Sequence, residues 1–345
     1  MTSIGIVGAG VAGLTVAYGL RGDPLDVTVF EKSRGFGGRA ATRGRGGCRY
    51  DHGAPYFSPT TDRVEHLVTA HLSTEQLVAL DRPVGTFAED GTCATSKDDD
   101  RPKWTYVHGI STLGKLLARR CRARIHRSTR VDQLSRRNGR WAVRTDADEV
   151  TGGFDAVVLT PPAPQSTALL RAGAPHTDSA RRVRSVLEPV RYTSQFAYIL
   201  AYDRPIDRPG EVFGLRGPGT GHPLQWIGFE SDKPGHAPAG RTLLVLHTAG
   251  DWTASRVDQS PESVFPEVKD AAEDVLSTSL RDPDWYDTQR WRYARPTSAE
   301  GLDPAVGAEG GLFLAGDAVA GAGTVASAIE SGFDVASRLR NHLIE

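Results

Sequence analysis

At 345 residues the chain exceeds one ordinary domain and suits two, with room for a sizeable core and a cleft between them. Its 41 Lys and Arg nearly cancel 42 Asp and Glu, so no global field favours nucleic acid or an anionic membrane surface as a partner. The three cysteines, Cys48, Cys93 and Cys121, are odd in number and lack metal-ligand spacing. That argues against a disulfide framework and for a reducing, cytoplasmic compartment.

Ile4 to Val7 is a short apolar run closed by Gly8, and Val11, Leu14, Ala17 and Leu20 follow at helical spacing until Asp23 and Pro24 stop the pattern. This glycine-broken stretch reads as strand, turn and helix, and not as a leader or membrane span. Asp26 to Phe30, rich in β-branched residues, supplies the second strand of a right-handed parallel crossover. A Gly- and Arg-rich loop covers Arg34 to Gly47. Thr60 to Leu80 carries mixed helical signals, and Ala88 to Arg101 is polar loop, with Asp98 to Asp100 read as hydrated and not as a metal site.

Gly114 to Arg122 reads as a basic amphipathic helix and Arg124 to His126 as a strand. Asn138-Gly139, between Val131 to Leu134 and Trp141 to Thr145, is the strongest hairpin signal in the chain. Asp155 to Thr160 is a buried strand ended by two prolines. From about Pro164 to Asp287, strand-like runs (Gln195 to Tyr202, Leu224 to Phe229, Thr242 to Thr248) alternate with loops and one helix near Glu262 to Leu280. Gly217 to Gly221 lacks a flanking buried strand and helix and reads as a surface turn. Leu312 to Ala315 is a last buried strand, followed by a glycine-rich turn and a C-terminal helix.

The expected fold class is α/β, a two-dinucleotide-type Rossmann domain with an inserted, mostly antiparallel β plus α substrate domain. The boundaries expected are 1–59, 101–163 and 288–345 for the first domain, and 60–100 and 164–287 for the second.

Gly8-Ala9-Gly10-Val11-Ala12-Gly13 matches the dinucleotide fingerprint between a strand and a helix. The first glycine permits the tight turn, the second lets a pyrophosphate approach the backbone, and the third lets helix and strand pack closely. Glu31, 18 residues after Gly13, ends the second strand where a carboxylate can accept hydrogen bonds from a ribose and disfavours a ribose phosphate. Two further features extend the pattern toward a longer cofactor. Gly37-Gly38-Arg39 is a second glycine turn bearing an arginine, and Gly316-Asp317 places a carboxylate after the last buried strand. The N-terminus of the final helix, near Val325, can favour negative charge on a reduced flavin.

Glu31 to Arg43 (EKSRGFGGRAATR), Tyr50 to Ser58 (YDHGAPYFS), Leu244 to Trp252 (LVLHTAGDW), Arg290 to Pro296 (RWRYARP) and Leu312 to Val319 (LFLAGDAV) span nearly the whole chain. In these segments the sequence resembles the flavin amine oxidase superfamily and, within it, the bacterial renalase-like proteins. The resemblance implies noncovalent FAD, with Ala12, Glu31, Arg39, Ala54, Val131 and Asp317 at cofactor-contact positions, Val131 through its backbone. Gly8, Gly10, Gly13, Lys32, Gly38, Gly316 and Val325 complete the expected cofactor set.

The resemblance also implies an oxidase that takes hydride from isomeric dihydronicotinamide nucleotides to flavin N5 and returns the electrons to O2 as hydrogen peroxide. Such chemistry asks the protein mainly to position a C–H bond. His247 and Tyr56 are the candidate catalytic residues, and Phe57, Trp226, Trp291 and Tyr293 the candidate substrate lining. The chain departs from the family pattern at Pro55, at Val107 to Ile110, and at Phe229 to Ser231. The alternatives are an amine oxidase or desaturase acting on a secondary metabolite and a non-catalytic FAD-binding regulatory protein. None of Lys32, Lys97, Lys103, Lys115, Lys233 or Lys269 lies in a strand suited to the lysine often found near N5 in amine oxidases.

Overall fold

The computed structural model describes residues 1–94, 101–173, 177–297 and 301–344. Lys97 and Asp98 to Asp100 therefore lie outside the described residues. In chain order the elements are β1 (Thr2–Val7), α1 (Val11–Gly19), β2 (Leu25–Phe30), β3 (Thr42–Arg45), β4 (Cys48–Asp51), α2 (Asp62–His66), β5 (Leu77–Ala79), β6 (Val84–Phe87), β7 (Cys93–Ala94), β8 (Trp104–Tyr106), α3 (Ser111–Arg120) and β9 (Arg124–His126). The hairpin follows as β10 (Val131–Arg137) and β11 (Arg140–Thr145), then β12 (Val150–Phe154), β13 (Ala156–Leu159), α4 (Ala163–Gly173) and α5 (Asp178–Leu187). The chain continues through β14 (Tyr192–Tyr202), β15 (Gly214–Arg216), β16 (Leu224–Phe229), β17 (Thr242–Thr248), α6 (Gly250–Ala254), α7 (Pro261–Leu276) and β18 (Trp285–Pro296). It ends with β19 (Leu312–Leu314), α8 (Asp317–Ala320) and α9 (Val325–Leu343).

The first sheet is wholly parallel, in the order β19-β13-β1-β2-β9. Its central strand is buried, Ile4 and Ile6 showing no exposed surface, as expected for a strand covered on both faces. Helix α1 is covered on all sides: every residue from Val11 to Tyr18 is buried. The cause is its crossing with α9, where a Cβ on Gly332 would stand 2.6 Å from Thr15 Cβ. The Asn138-Gly139 turn is formed with both residues at positive φ (50° and 77°), as a two-residue hairpin requires.

The second sheet has seven strands in the order β18-β14-β17-β16-β15-β6-β7, antiparallel except for the β15 to β6 pair. The cores on either side of the parallel sheet draw on residues from several parts of the chain. Leu169, Leu170, Val183 and Leu187 of α4 and α5 share a core with Val7, Phe30 and Leu314 of the parallel sheet. Val64, Leu67 and Val68 pack with Leu14 and Ile329, whereas residues 288–296 belong to β18 of the second sheet. The prolines at 161 and 162 end a strand without ending the domain, because apolar periodicity marks a buried face but not the sheet it packs on. Each fully buried leucine at such a contact contributes about 1.5–3 kcal/mol.

Among the described residues no helix is long and apolar enough to cross a membrane.

Candidate active site

A cavity of about 1840 Å³ runs from the carboxyl ends of the parallel strands to the face of the antiparallel sheet. At one end it is lined by Gly8, Glu31, Thr160 and Asp317, which follow β1, β2, β13 and β19. Loops at strand carboxyl ends are where open α/β sheets bind ligands, since strand order reverses there. A drug-sized ligand needs about 300–1,000 Å³, so this cavity has room for a long cofactor and a second molecule.

The predicted cofactor residues collect here. Gly8, Gly10, Ala12, Glu31, Lys32, Gly38, Arg39, Ala54, Val131, Gly316, Asp317 and Val325 all line the cavity. Gly13 does not, and its role is the packing one: a Cβ there would lie 2.1 Å from the Gly8 carbonyl oxygen. The two glycine turns meet back to back, Gly10 bridging to Gly37, and a Cβ on Gly38 would come within 3.2 Å of Gly10 Cα. Glu31 is buried, its carboxylate accepting hydrogen bonds from the Ala9 and Ser33 amides, each at 2.7 Å. It thus braces the glycine loop as well as lining the cavity.

Arg39 and Asp317, expected to face the cofactor separately, pair with each other at 2.6 Å. Arg39 also donates to the carbonyls of Tyr293 and Ala294, and Tyr192, which sequence reasoning missed, donates to the other Asp317 oxygen at 3.0 Å.

At the far end, β-sheet register builds the wall. Thr86, Arg216, Trp226, His247, Ala197 and Gln289 are consecutive cross-strand partners, and all but Ala197 line the cavity. Direct partners share a face, so one row across the sheet presents these side chains together. Tyr56 approaches the row, its ring 6.0 Å from Trp226, and its hydroxyl accepts from Arg216 Nη2 at 3.2 Å. Trp291 stacks on His52 at 5.4 Å and donates Nε1–H to the His52 carbonyl. Tyr293 meets Tyr192 edge to face. Phe57 is chiefly core: it touches the cavity, but its ring packs on Trp104 and Tyr106 and it is 3% exposed.

Three buried polar atoms at this end have no partner: His52 Nδ1, Trp226 Nε1 and His247 Nε2. Burial, reinforced by Arg295, His52 and Lys233, pushes His247 down to about 3. Burial and then Arg43 push His52 down to about 4, against opposing pulls from Asp51 and Asp287. Both imidazoles are neutral at pH 7. His52 was missed in the sequence, where its only signal was its place in Tyr50 to Ser58. Lys103, set aside for want of a strand, lines the cavity directly before β8.

The departure at Glu230 also gains a reason. Lys233, fully buried, donates to Asp51 at 2.8 Å and to Glu230, and His236 Nδ1 lies 2.8 Å from Glu230. Burial opposes these charges, but Asp51 and Glu230 outweigh it and hold the ammonium above the ordinary lysine range. Burial likewise opposes ionisation of Glu230, and Lys233 and His236 overcome it and hold the carboxyl below its usual range. Asp51, Glu230 and His236 have the spacing of a metal site. Lys233 already supplies the cation, so the cluster reads as a buried ionic clamp joining β4 to the turn after β16.

Fold and site together define a dinucleotide-binding oxidoreductase. A family model for flavin containing amine oxidoreductases matches residues 92–340, and one for NAD(P)-binding Rossmann-like domains matches 6–70. The chain belongs to the flavin containing amine oxidoreductase family; it is an FAD-dependent oxidoreductase.

Solved structures carry the same fold. One from Exiguobacterium sp. 255-15, assigned as a protoporphyrinogen oxidase, has TM-score 0.78 at 17% identity, covering 99% of each chain. Cyclohexylamine oxidase from Brevibacterium oxydans IH-35A has TM-score 0.74 at 12% identity, with all of both chains covered. A fatty acid isomerase from P. acnes that produces CLA has TM-score 0.71 at 15% identity over 98% of each chain.

The residues present fit a flavin dinucleotide. Gly10 keeps open a cradle in which a Cβ would meet only Gly38 Cα, at 4.0 Å, and the first turn of α1 offers free amides to a pyrophosphate.

Proposed function

We propose that the protein is an oxidase that holds FAD noncovalently and oxidises a small reduced substrate, an isomeric dihydronicotinamide nucleotide. In this reading Gly8 to Ala12 and the start of α1 take the pyrophosphate and Glu31 the adenosine ribose. Val131 takes the adenine through its backbone, and Gly38, Arg39, Ala54 and Asp317 lie along the rest of the cofactor. Bound there, the flavin supplies a hydride acceptor that O2 reoxidises, yielding hydrogen peroxide. None of the three cysteines lines the cavity, which supports noncovalent binding by leaving no thiol for a thioether.

The observation that carries the substrate reading is the neutral pair His52 and His247. A dihydropyridine becomes a pyridinium by losing hydride alone, so it needs no base. An alkylammonium must first surrender a proton, and imidazoles held near 4 and 3 are poor acceptors for it at neutral pH. On this reading His247 and Trp226 line the substrate end of the cavity, with Tyr56, Trp291 and Tyr293 as further walls. They position the C–H bond and exclude water.

Lys103 in the cavity favours the second reading, an amine oxidase. The test is anaerobic bleaching of the flavin in the purified holoprotein by 1,4-NADH, its 2- and 6-dihydro isomers, and simple amines. The isomers bleach it fastest if the proposal holds. Bleaching by amines alone overturns it.

A further inference from the structure

Arg216 and Arg295 stand in the cavity without a carboxylate partner among the described residues. Every other arginine on the cavity's sheet face has an anchor: Arg43 pairs with Asp287, Arg292 with Asp258, and Arg290 donates to the Gln259 carbonyl. Among the described residues Arg216 reaches the Tyr56 hydroxyl and no other side chain. The Arg295 stem packs on Gly323, where a Cβ would lie 3.1 Å from Arg295 Cγ, and its guanidinium has no hydrogen bond among the described residues.

Arg295 has accessible surface in the cavity, yet enough protein surrounds it that burial, followed by Arg216, presses its guanidinium below the usual arginine range. The groups acting most strongly on it are Arg216, Tyr56 and Arg39, and none is a carboxylate. Both guanidiniums are accessible from the cavity and repel each other, and an anion between them relieves that repulsion. The wider wall has the same sign: twelve Lys and Arg line the cavity against three carboxylates, Glu31, Asp132 and Asp317. Two of those three are already at the cofactor end.

We infer that Arg216 and Arg295, with the Tyr56 hydroxyl, form an anion subsite that takes the phosphate of the reducing substrate. The inference rests on the proposed reading of a nucleotide substrate and adds where its charge is held. Planar guanidiniums match phosphate oxygens by paired N–H donors, and Tyr56 adds a hydroxyl. Arg216 sits in the same cross-strand row as Trp226 and His247, so a phosphate held by it fixes how far the ring can travel along the wall.

The test compares 6-dihydronicotinamide mononucleotide with the matching riboside, which lacks the phosphate, in anaerobic reduction of the holoprotein. In wild type kcat/KM favours the mononucleotide by at least about tenfold, and in Arg216→Gln or Arg295→Gln that preference shrinks to within about threefold, through KM. A wild type with no preference, or variants that keep it, overturns the subsite.

A parallel titration with inorganic pyrophosphate, followed by the flavin spectrum, separates the two layers. Binding that both variants weaken about tenfold, with no reduction by either dihydro compound, supports the subsite and overturns the nucleotide reading. Reduction without phosphate preference, and no pyrophosphate binding, leaves that reading standing and overturns the subsite. FAD occupancy is measured from absorbance in each variant, so a change in loading is not mistaken for a change in substrate binding.

Discussion

Arg39 Nη1 lies 2.6 Å from the Asp317 carboxylate, joining residues 278 positions apart across the cavity floor. The pair connects the second glycine turn to the turn after β19, and Tyr192 closes it from the second sheet. Asp317→Ala strands a partly buried guanidinium and a tyrosine hydroxyl. A loss of about 1.5–3 kcal/mol is expected in urea denaturation, the range for hydrogen bonds to charged groups. Arg39→Lys does not restore it, because one ammonium cannot reproduce the fork that spans Asp317 and the carbonyls of Tyr293 and Ala294.

Glu31→Ala removes an acceptor from the cavity and two hydrogen bonds from the loop it braces. The affinity for FAD should fall by about tenfold or more, read from flavin fluorescence on titrating apoprotein. Glu31→Gln keeps an acceptor and should fall less. Equal binding by all three forms contradicts the role.

Lys233→Met leaves Asp51 and Glu230 buried without their cation, and about 3–5 kcal/mol of stability should be lost. Zinc added to wild type should not raise the melting temperature, since the ammonium occupies the centre of the cluster. A zinc-dependent rise would reassign the cluster as a metal site.

The two neutral histidines set a pH dependence. Their folded values are lowered, so their contribution to stability is complete above the unfolded value near 6.5 and is lost as pH falls toward about 4 for His52 and about 3 for His247. Between pH 7 and pH 5 each should cost about 2 kcal/mol. His52→Gln, compared with wild type in urea at both pH values, should lose about 2 kcal/mol less than wild type between them.

The parallel strands, the glycine turns, the Asn138-Gly139 hairpin and the cofactor end of the cavity were legible in the residues, because each is a local pattern. Positive φ, apolar period and turn chemistry act over a few positions, and the chain carries them wherever it goes. What the residues did not reveal is who meets whom. Helices α4 and α5 read as part of the inserted domain and pack on the parallel sheet. Lys103, read as lying in no strand suited to a place near N5, lines the cavity, and Lys233, read the same way, anchors a buried clamp.

The same division runs through the site. Gly8, Gly10, Glu31, Gly316 and Asp317, read from sequence as one site, do line one cavity. Only the register of β15, β16 and β17 puts Arg216, Trp226 and His247 in one row, and burial, with nearby cations, pushes His52 down to about 4 and His247 to about 3. Partner and protonation state depend on side chains brought from distant strands and on the water they exclude, and neither quantity has a local sequence signal.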